Sequence, residues 1–164
     1  MGAFRITVGK ERLGFAAAHF ITFADGTPEP LHGHDYRVAV TLSARVNEAG
    51  YVADFVTLEE AARRSLAALD HRVLLPTRSP LVEVTETEGR VTARCAERRW
   101  EFPAGEVRLL PLSNTTAERL AEHLATELAH HLGEAGLATP PFHLELEVEE
   151  SPGHSARYVT ERSG

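Results

Sequence analysis

From Phe142 to Glu150 the chain alternates without a break, with Phe142, Leu144, Leu146 and Val148 on one face of an extended strand and His143, Glu145, Glu147 and Glu149 on the other. One apolar and one charged row fit a half-buried strand in a sheet whose far face meets water. Glu150 continues the apolar row, so a carboxylate ends an inward stripe. Such a group is costly to bury unless hydrogen-bonded, and a heterocycle presenting adjacent N–H donors would supply both bonds. The competing reading is a strand end already back in solvent.

Other segments show the same period. Val38, Val40 and Leu42 alternate with Arg37, Ala39 and Thr41 across Tyr36 to Ala44, which predicts a strand. Phe4 to Val8 and Leu13 to Phe20 read as two short strands, and the polar Gly9 to Arg12 turn makes a hairpin the simplest arrangement. Tyr51 to Asp54 is a further candidate strand. Helical spacing takes over at Leu58, Ala62, Leu66 and Leu69, with a capping box at Thr57 and Glu60 and an end near Asp70. A second helix opens at Thr115 and Glu118 and carries Leu120, Leu124, Leu128 and Leu132 along one stripe.

Between the helices, Leu81 to Glu86 and Arg90 to Cys95 alternate around Glu88-Gly89, predicting a hairpin that leads to an extended piece at Val107 to Leu110. Ser151-Pro152-Gly153 joins the strand from Phe142 to a last one at Ala156 to Thr160. The sum is one α+β domain over residues 1–164, a mainly antiparallel sheet with two helices packed on one face.

A formal net charge of -7 argues against non-specific binding to nucleic acid or an anionic membrane, since both need clustered positive charge. The lone Cys95 leaves no internal disulfide, and the absence of a charged start followed by a long apolar run leaves no secretory signal or membrane span. The expected location is the cytoplasm.

The chemistry concentrates in histidines. His32-Gly33-His34 stands at the entrance to a strand, where alternation aims both imidazoles to one side. His19, near the end of an earlier strand, could supply a third nitrogen, and three protein ligands with one open position is the arrangement of catalytic zinc. The bland alternative is three ordinary core or surface histidines. Asp70-His71 follows the first helix, whose C-terminal dipole favours a protonated imidazole; the pair is either a proton carrier or a helix stop. His123, His130, His131, His143 and His154 read as surface residues.

Taken in order, Phe15-Ala16-Ala17-Ala18-His19-Phe20, Leu31-His32-Gly33-His34-Asp35-Tyr36, Val52-Ala53-Asp54-Phe55, Leu69-Asp70-His71, Asn114-Thr115-Thr116-Ala117-Glu118 and Val148-Glu149-Glu150-Ser151, with Tyr158 beyond, form a recognisable series. It resembles the 6-pyruvoyl-tetrahydropterin and 6-carboxy-tetrahydropterin synthase family. Only the stretch from about Leu81 to Val107 lacks a counterpart in compact members. The resemblance implies the tunnelling fold, in which small α+β subunits assemble as trimers and hexamers with active sites between them. It also implies Zn2+ on His19, His32 and His34, Glu150 anchoring a pterin ring, Asp70 and His71 in proton transfer, and Thr116 and Glu118 lining the pterin pocket.

One departure narrows the reaction. Members that make pyruvoyl or carboxy products carry a catalytic Cys four residues before the first His of the His-x-His pair, where this chain has Pro28. Glu29 stands beside it, three residues before His32. This resembles a glutamate-containing branch that cleaves dihydroneopterin triphosphate to 6-hydroxymethyl-dihydropterin for folate synthesis. A carboxylate can take a side-chain hydroxyl proton and so promote retro-aldol carbon–carbon cleavage, whereas proline offers no such group. A solvated loop glutamate is the competing reading. Two other functions stay open: a 6-carboxy- or 6-pyruvoyl-tetrahydropterin synthase using His71, and a catalytically silent pterin- or metal-binding protein.

Overall fold

The structure, a computed structural model, describes residues 3–137 and 142–162. In chain order the elements are β1 (Phe4–Val8), β2 (Gly14–His19), β3 (His32–Ala44), α1 (Phe55–Ala67), β4 (Arg72–Pro76), β5 (Glu83–Thr87), β6 (Arg90–Cys95), β7 (Arg98–Pro103), a 3-10 turn (Ala104–Glu106), β8 (Val107–Leu110), α2 (Ala117–Glu134), β9 (Phe142–Ser151) and β10 (His154–Arg162). A seven-stranded sheet runs β10-β9-β3-β2-β4-β8, with β1 also paired to β3. Its pairs are antiparallel except β2 with β4 and β4 with β8, which are parallel.

Both helices lie over one face. α2 packs on α1, β9 and β10, and its Leu120, Leu124, Leu128 and Leu132 are fully buried together with Val38, Val40, Leu144, Leu146 and Val148 of the sheet. Burying one such side chain contributes about 1.5–3 kcal/mol, so this contact holds the two layers together. The charged row of β9 lies on the other face, where Lys10 and Arg157 pair with the buried Glu147. The α+β arrangement expected from the alternating and helical patterns is the one observed.

Several local expectations are corrected. β1 and β2 do not form a hairpin: β1 pairs along β3 from Phe4↔Ala44 to Val8↔Val40, and β2 follows on the same edge from Gly14↔Arg37 to His19↔His32. β3, at 13 residues, is long enough to hold both, and the Gly9 to Arg12 segment is a turn between collinear strands, closed by Arg12 N–H to the Gly9 carbonyl at 3.1 Å. Tyr51 to Asp54 is not a strand, because Asp54 is the N-cap of α1 and accepts from the Thr57 amide at 2.8 Å. That places the helix start ahead of the expected Thr57 box and its last residue at Ala67 rather than near Asp70.

α2 is capped by Thr116, whose hydroxyl accepts from Arg119 N–H, so Glu118 does not occupy the capping-box position counted from Thr115. His131 is not a free surface residue either; its Nδ1 lies 2.9 Å from the Ser65 hydroxyl. The 81–107 stretch holds three strands where the sequence predicts a hairpin: β5, β6 and β7 form a separate antiparallel sheet. The turn at Glu88 and Gly89 is as expected, with φ of 51° and 76°. This small sheet closes a second core of Phe20, Leu75, Val82, Val91, Ala93 and Cys95.

Candidate functional site

The register of β2 on β3 sets His19 opposite His32 and Ala17 opposite His34. Alternation then sends His19, His32, His34 and Tyr36 to the same side of the sheet. One nitrogen from each histidine lies within 4.8 Å of the others.

Two of the rings are oriented by main-chain carbonyls. His19 Nδ1 donates to the Thr115 carbonyl at 2.9 Å, and His32 Nδ1 donates to the Pro30 carbonyl at 2.8 Å. With Nδ1 so engaged, the neutral form of either ring leaves Nε2 as its acceptor. His32 Nε2 faces His34 Nε2 at 2.8 Å. His19 is 1% exposed and its Nε2 is buried with no hydrogen-bond partner among the described residues. An orphaned acceptor of this kind costs about 1–3 kcal/mol, and a cation on that nitrogen would offset it. Burial also holds the His19 pKa below the ordinary imidazole value despite the Thr115 bond, which keeps it in the neutral, ligating form. Ring orientation by an outer carbonyl, convergence of three imidazole nitrogens and one buried atom unpartnered among the described residues all fit a divalent metal.

Two carboxylates flank the cluster. Glu29 Oε2 is 3.7 Å from His32 Nδ1 and Glu150 Oε1 is 3.5 Å from His34 Nε2, with side chains 29% and 30% exposed. Glu150 thus faces the cluster from the end of the apolar row of β9, as alternation predicts. Tyr36 lies behind them, stacked on Phe15 at 4.7 Å and edge-on to His34 at 5.4 Å. Its hydroxyl is buried without a partner among the described residues, and burial together with the charges of Glu150 and Glu29 drives its pKa upward, so it stays protonated.

The segment after β2 is held by Asn114 and Thr115, which sequence patterns do not single out for this task. Asn114 Nδ2 donates to the Thr22 carbonyl at 2.9 Å and its Oδ1 accepts from Thr22 N–H, while the Thr115 hydroxyl donates to the Phe20 carbonyl at 2.9 Å. Their advance signals are their place just before a capped helix and their membership of the Asn114 to Glu118 motif, neither of which encodes these bonds.

Asp70 and His71 form a pair of their own, Nδ1 to Oδ2 at 2.9 Å. The pair is pinned to both main-chain groups of Ala16: Asp70 Oδ1 accepts from its N–H at 2.9 Å and His71 N–H donates to its carbonyl at 2.7 Å. Those bonds, the Ala16 N–H first and His71 second, hold the Asp70 carboxyl below its usual range. His71 adopts φ of 55°, a left-handed conformation that costs a non-glycine residue about 1–3 kcal/mol. Its side chain is 80% exposed. Among the described residues neither member bonds to a cluster histidine, Glu29 or Glu150; both sit at the β2 edge, where His71 lines a cavity of ≈ 470 Å³ that His34 of the cluster lines too, together with Ala18, Gly33 and Arg72. Thr116 is half-buried with its hydroxyl taken up as a cap, and Glu118 is exposed in the first turn of α2. Cys95 belongs to the second core, not to the cluster, and burial raises its thiol pKa.

A family model described as 6-pyruvoyl tetrahydropterin synthase matches residues 8–161. The chain belongs to the 6-pyruvoyl tetrahydropterin synthase family. One member of Methanocaldococcus jannaschii, provisionally named 6-carboxy-5,6,7,8-tetrahydropterin synthase, is 31% identical over 147 residues, covering 89% of each chain. A Pyrococcus abyssi protein with the same provisional name is 31% identical over 121 residues, 73% of this chain and 72% of its own. The 6-pyruvoyl tetrahydropterin synthase of Plasmodium vivax superposes with a TM-score of 0.92 at 27% identity, covering 99% of this chain and 100% of its own. In that Plasmodium protein a glutamate described as a catalytic residue has been replaced by alanine and by cysteine in two further structures. With this likeness the sheet and its two helices are the tunnelling fold of the family.

Proposed function

We propose that this member of the 6-pyruvoyl tetrahydropterin synthase family is a zinc-dependent lyase that shortens the side chain of 7,8-dihydroneopterin triphosphate, or a related dihydroneopterin, to give 6-hydroxymethyl-7,8-dihydropterin for folate synthesis. The observation that carries this reading is the carboxylate of Glu29, 3.7 Å from His32 Nδ1, beside Pro28 in place of a thiol. The catalytic glutamate of the Plasmodium vivax protein supports it.

His19, His32 and His34 would hold the metal, and three imidazoles with no thiolate among them suit zinc. Zinc bound there supplies a fixed positive centre that acidifies nearby hydroxyl groups. Glu29 takes the proton from the hydroxyl on the outer carbon of the bond to be broken. As that carbon becomes a carbonyl, the carbon–carbon bond breaks, and its electron pair passes to the ring-side carbon, which conjugation with the pterin stabilises. His71, oriented by Asp70, returns a proton to that carbon. Glu150 accepts from the amino and N–H edge of the ring, and Thr116 and Glu118 line the pocket around it.

An exposed Asp70–His71 pair that bonds to nothing in its own chain's cluster supports a site completed by a second copy, hence a homo-oligomer, a trimer or hexamer. Large apolar side chains exposed at Phe4, Tyr51, Phe55 and Val56 agree with that assembly. Cytoplasmic function is proposed with it; among the described residues no helix is long and apolar enough to cross a membrane. Formation of a 6-carboxy-tetrahydropterin is the second reading, favoured by the names of the archaeal relatives. Glu29→Ala is expected to lower turnover at least a hundredfold while zinc content stays at the wild-type level, read by steady-state kinetics and elemental analysis. Wild-type turnover in that variant would remove Glu29 from the mechanism.

A further inference from the structure

The β5–β7 sheet contributes no ligand to the histidine cluster, yet its core reaches both segments that carry the histidines. Phe20 follows His19 directly and is buried in the second core, and Leu31, directly before His32, packs against that core. Trp100 of β7 stacks on Phe20 with ring centroids 4.2 Å apart. The loop between Phe20 and Leu31 carries Glu29.

The tip of that loop is closed on itself by Phe23 N–H to the Thr27 carbonyl at 2.9 Å and by Thr27 on Asp25, and Asn114 holds Thr22, but the stretch around Glu29 has fewer ways to be fixed. Pro28 and Pro30 have no amide to donate, so the chain around Glu29 depends on its remaining polar groups. Glu29 N–H donates to the Ile21 carbonyl at 2.9 Å, and the Pro30 carbonyl accepts from His32. The Glu29 carbonyl is taken by Arg98 Nη1 of β7 at 3.2 Å. Among the described residues Arg98 makes no ion pair with a carboxylate, so the Glu29 carbonyl is the one polar anchor of its guanidinium there.

We infer that the β5–β7 sheet is a brace for the Glu29 loop, with Arg98 as a positioning residue that holds the base through its main-chain carbonyl. The inference rests on the proposed role of Glu29 as general base. A charge-assisted bond at the carbonyl fixes the Cα from which the carboxylate hangs, and Trp100 on Phe20 fixes the floor beneath the loop. A base displaced by about 1 Å loses up to a hundredfold in rate, which is the leverage such a brace has.

The test compares Arg98→Ala, Arg98→Lys, Glu29→Ala and the Glu29→Ala/Arg98→Ala double variant of the full-length, zinc-loaded protein. Arg98 is exposed, so its truncation leaves the second core intact. Arg98→Ala is expected to lower kcat by about tenfold to a hundredfold, with KM, zinc content and thermal midpoint unchanged. Arg98→Lys restores most of the rate, because one N–H reaching one carbonyl does not need the planar fork. In the Glu29→Ala background the second change costs nothing further. Independently of turnover, amides of residues 22–31 exchange faster with solvent in Arg98→Ala than in the wild type.

If Glu29→Ala is itself fully active, the base assignment fails and the inference falls with it. If Glu29→Ala is dead while Arg98→Ala keeps wild-type kcat and unchanged exchange, the brace alone is overturned. An equal loss from Arg98→Ala with and without Glu29 also overturns it.

Discussion

His19 has the features that suit a residue to ligate a metal. Its ring is fixed by the Thr115 carbonyl, its other nitrogen is buried without a partner among the described residues, and burial depresses its pKa. The sign of the pH effect follows. As pH falls through the ordinary imidazole value of 6.5, the unfolded chain takes up a proton that folded His19 resists. The unfolded state then binds more protons, so the stability of the metal-free protein drops between about pH 7 and pH 5. Denaturant midpoints across that range should show the drop, and His19→Gln should reduce it; an identical slope in both proteins would contradict the account. At this scale the sequence is legible where side chains obey a period. His32 and His34 share a face through alternation, and Glu150 continues the row of Val148 and Leu146. Asn114, Thr115 and Arg98 are not legible, because they act by bonds to distant main-chain groups that no local spacing encodes.

β2 and β3 are the elements on which the cluster depends, and their close approach has a demanding point at Gly14. A Cβ there would lie 2.6 Å from the Tyr36 carbonyl oxygen, and main chain cannot swing aside as a long side chain can. Gly14→Ala should therefore destabilise the fold by about 1–3 kcal/mol and weaken metal binding as β2 shifts, measured by denaturation and zinc titration. An unchanged midpoint would refute the constraint. Half-buried strands such as β3 and β9 are readable from their alternation, and α2 from its leucine stripe. Helix starts are less so, since Asp54 and Thr116 compete as caps with Thr57 and Thr115, and only the fold decides between neighbours. β4 and β7 escape notice for different reasons. β4 lies between two parallel neighbours with Leu74 and Leu75 both buried, so it has no polar row. β7, Arg-Arg-Trp-Glu-Phe-Pro, packs its two aromatic residues only partly.

For the molecule as a whole, one chain holds the cluster and Glu29 together, while Asp70 and His71, bonded to the Ala16 main chain, leave the His71 side chain exposed and bonded to none of them among the described residues. If sites form between copies, Glu29 and His71 act from different chains. Unfolding and refolding an equal mixture of Glu29→Ala and His71→Ala, each inactive alone, should then recover about a quarter of wild-type sites. No recovery from subunits shown to exchange would place both residues in one chain's site. The central claim is cleavage of a carbon–carbon bond at a metal cluster served by a carboxylate, and the mass of the product decides it most directly. A single turnover of zinc-loaded protein on 7,8-dihydroneopterin triphosphate should yield a pterin with one side-chain carbon, 6-hydroxymethyl-7,8-dihydropterin. A pterin that keeps all of its side-chain carbons would contradict the account.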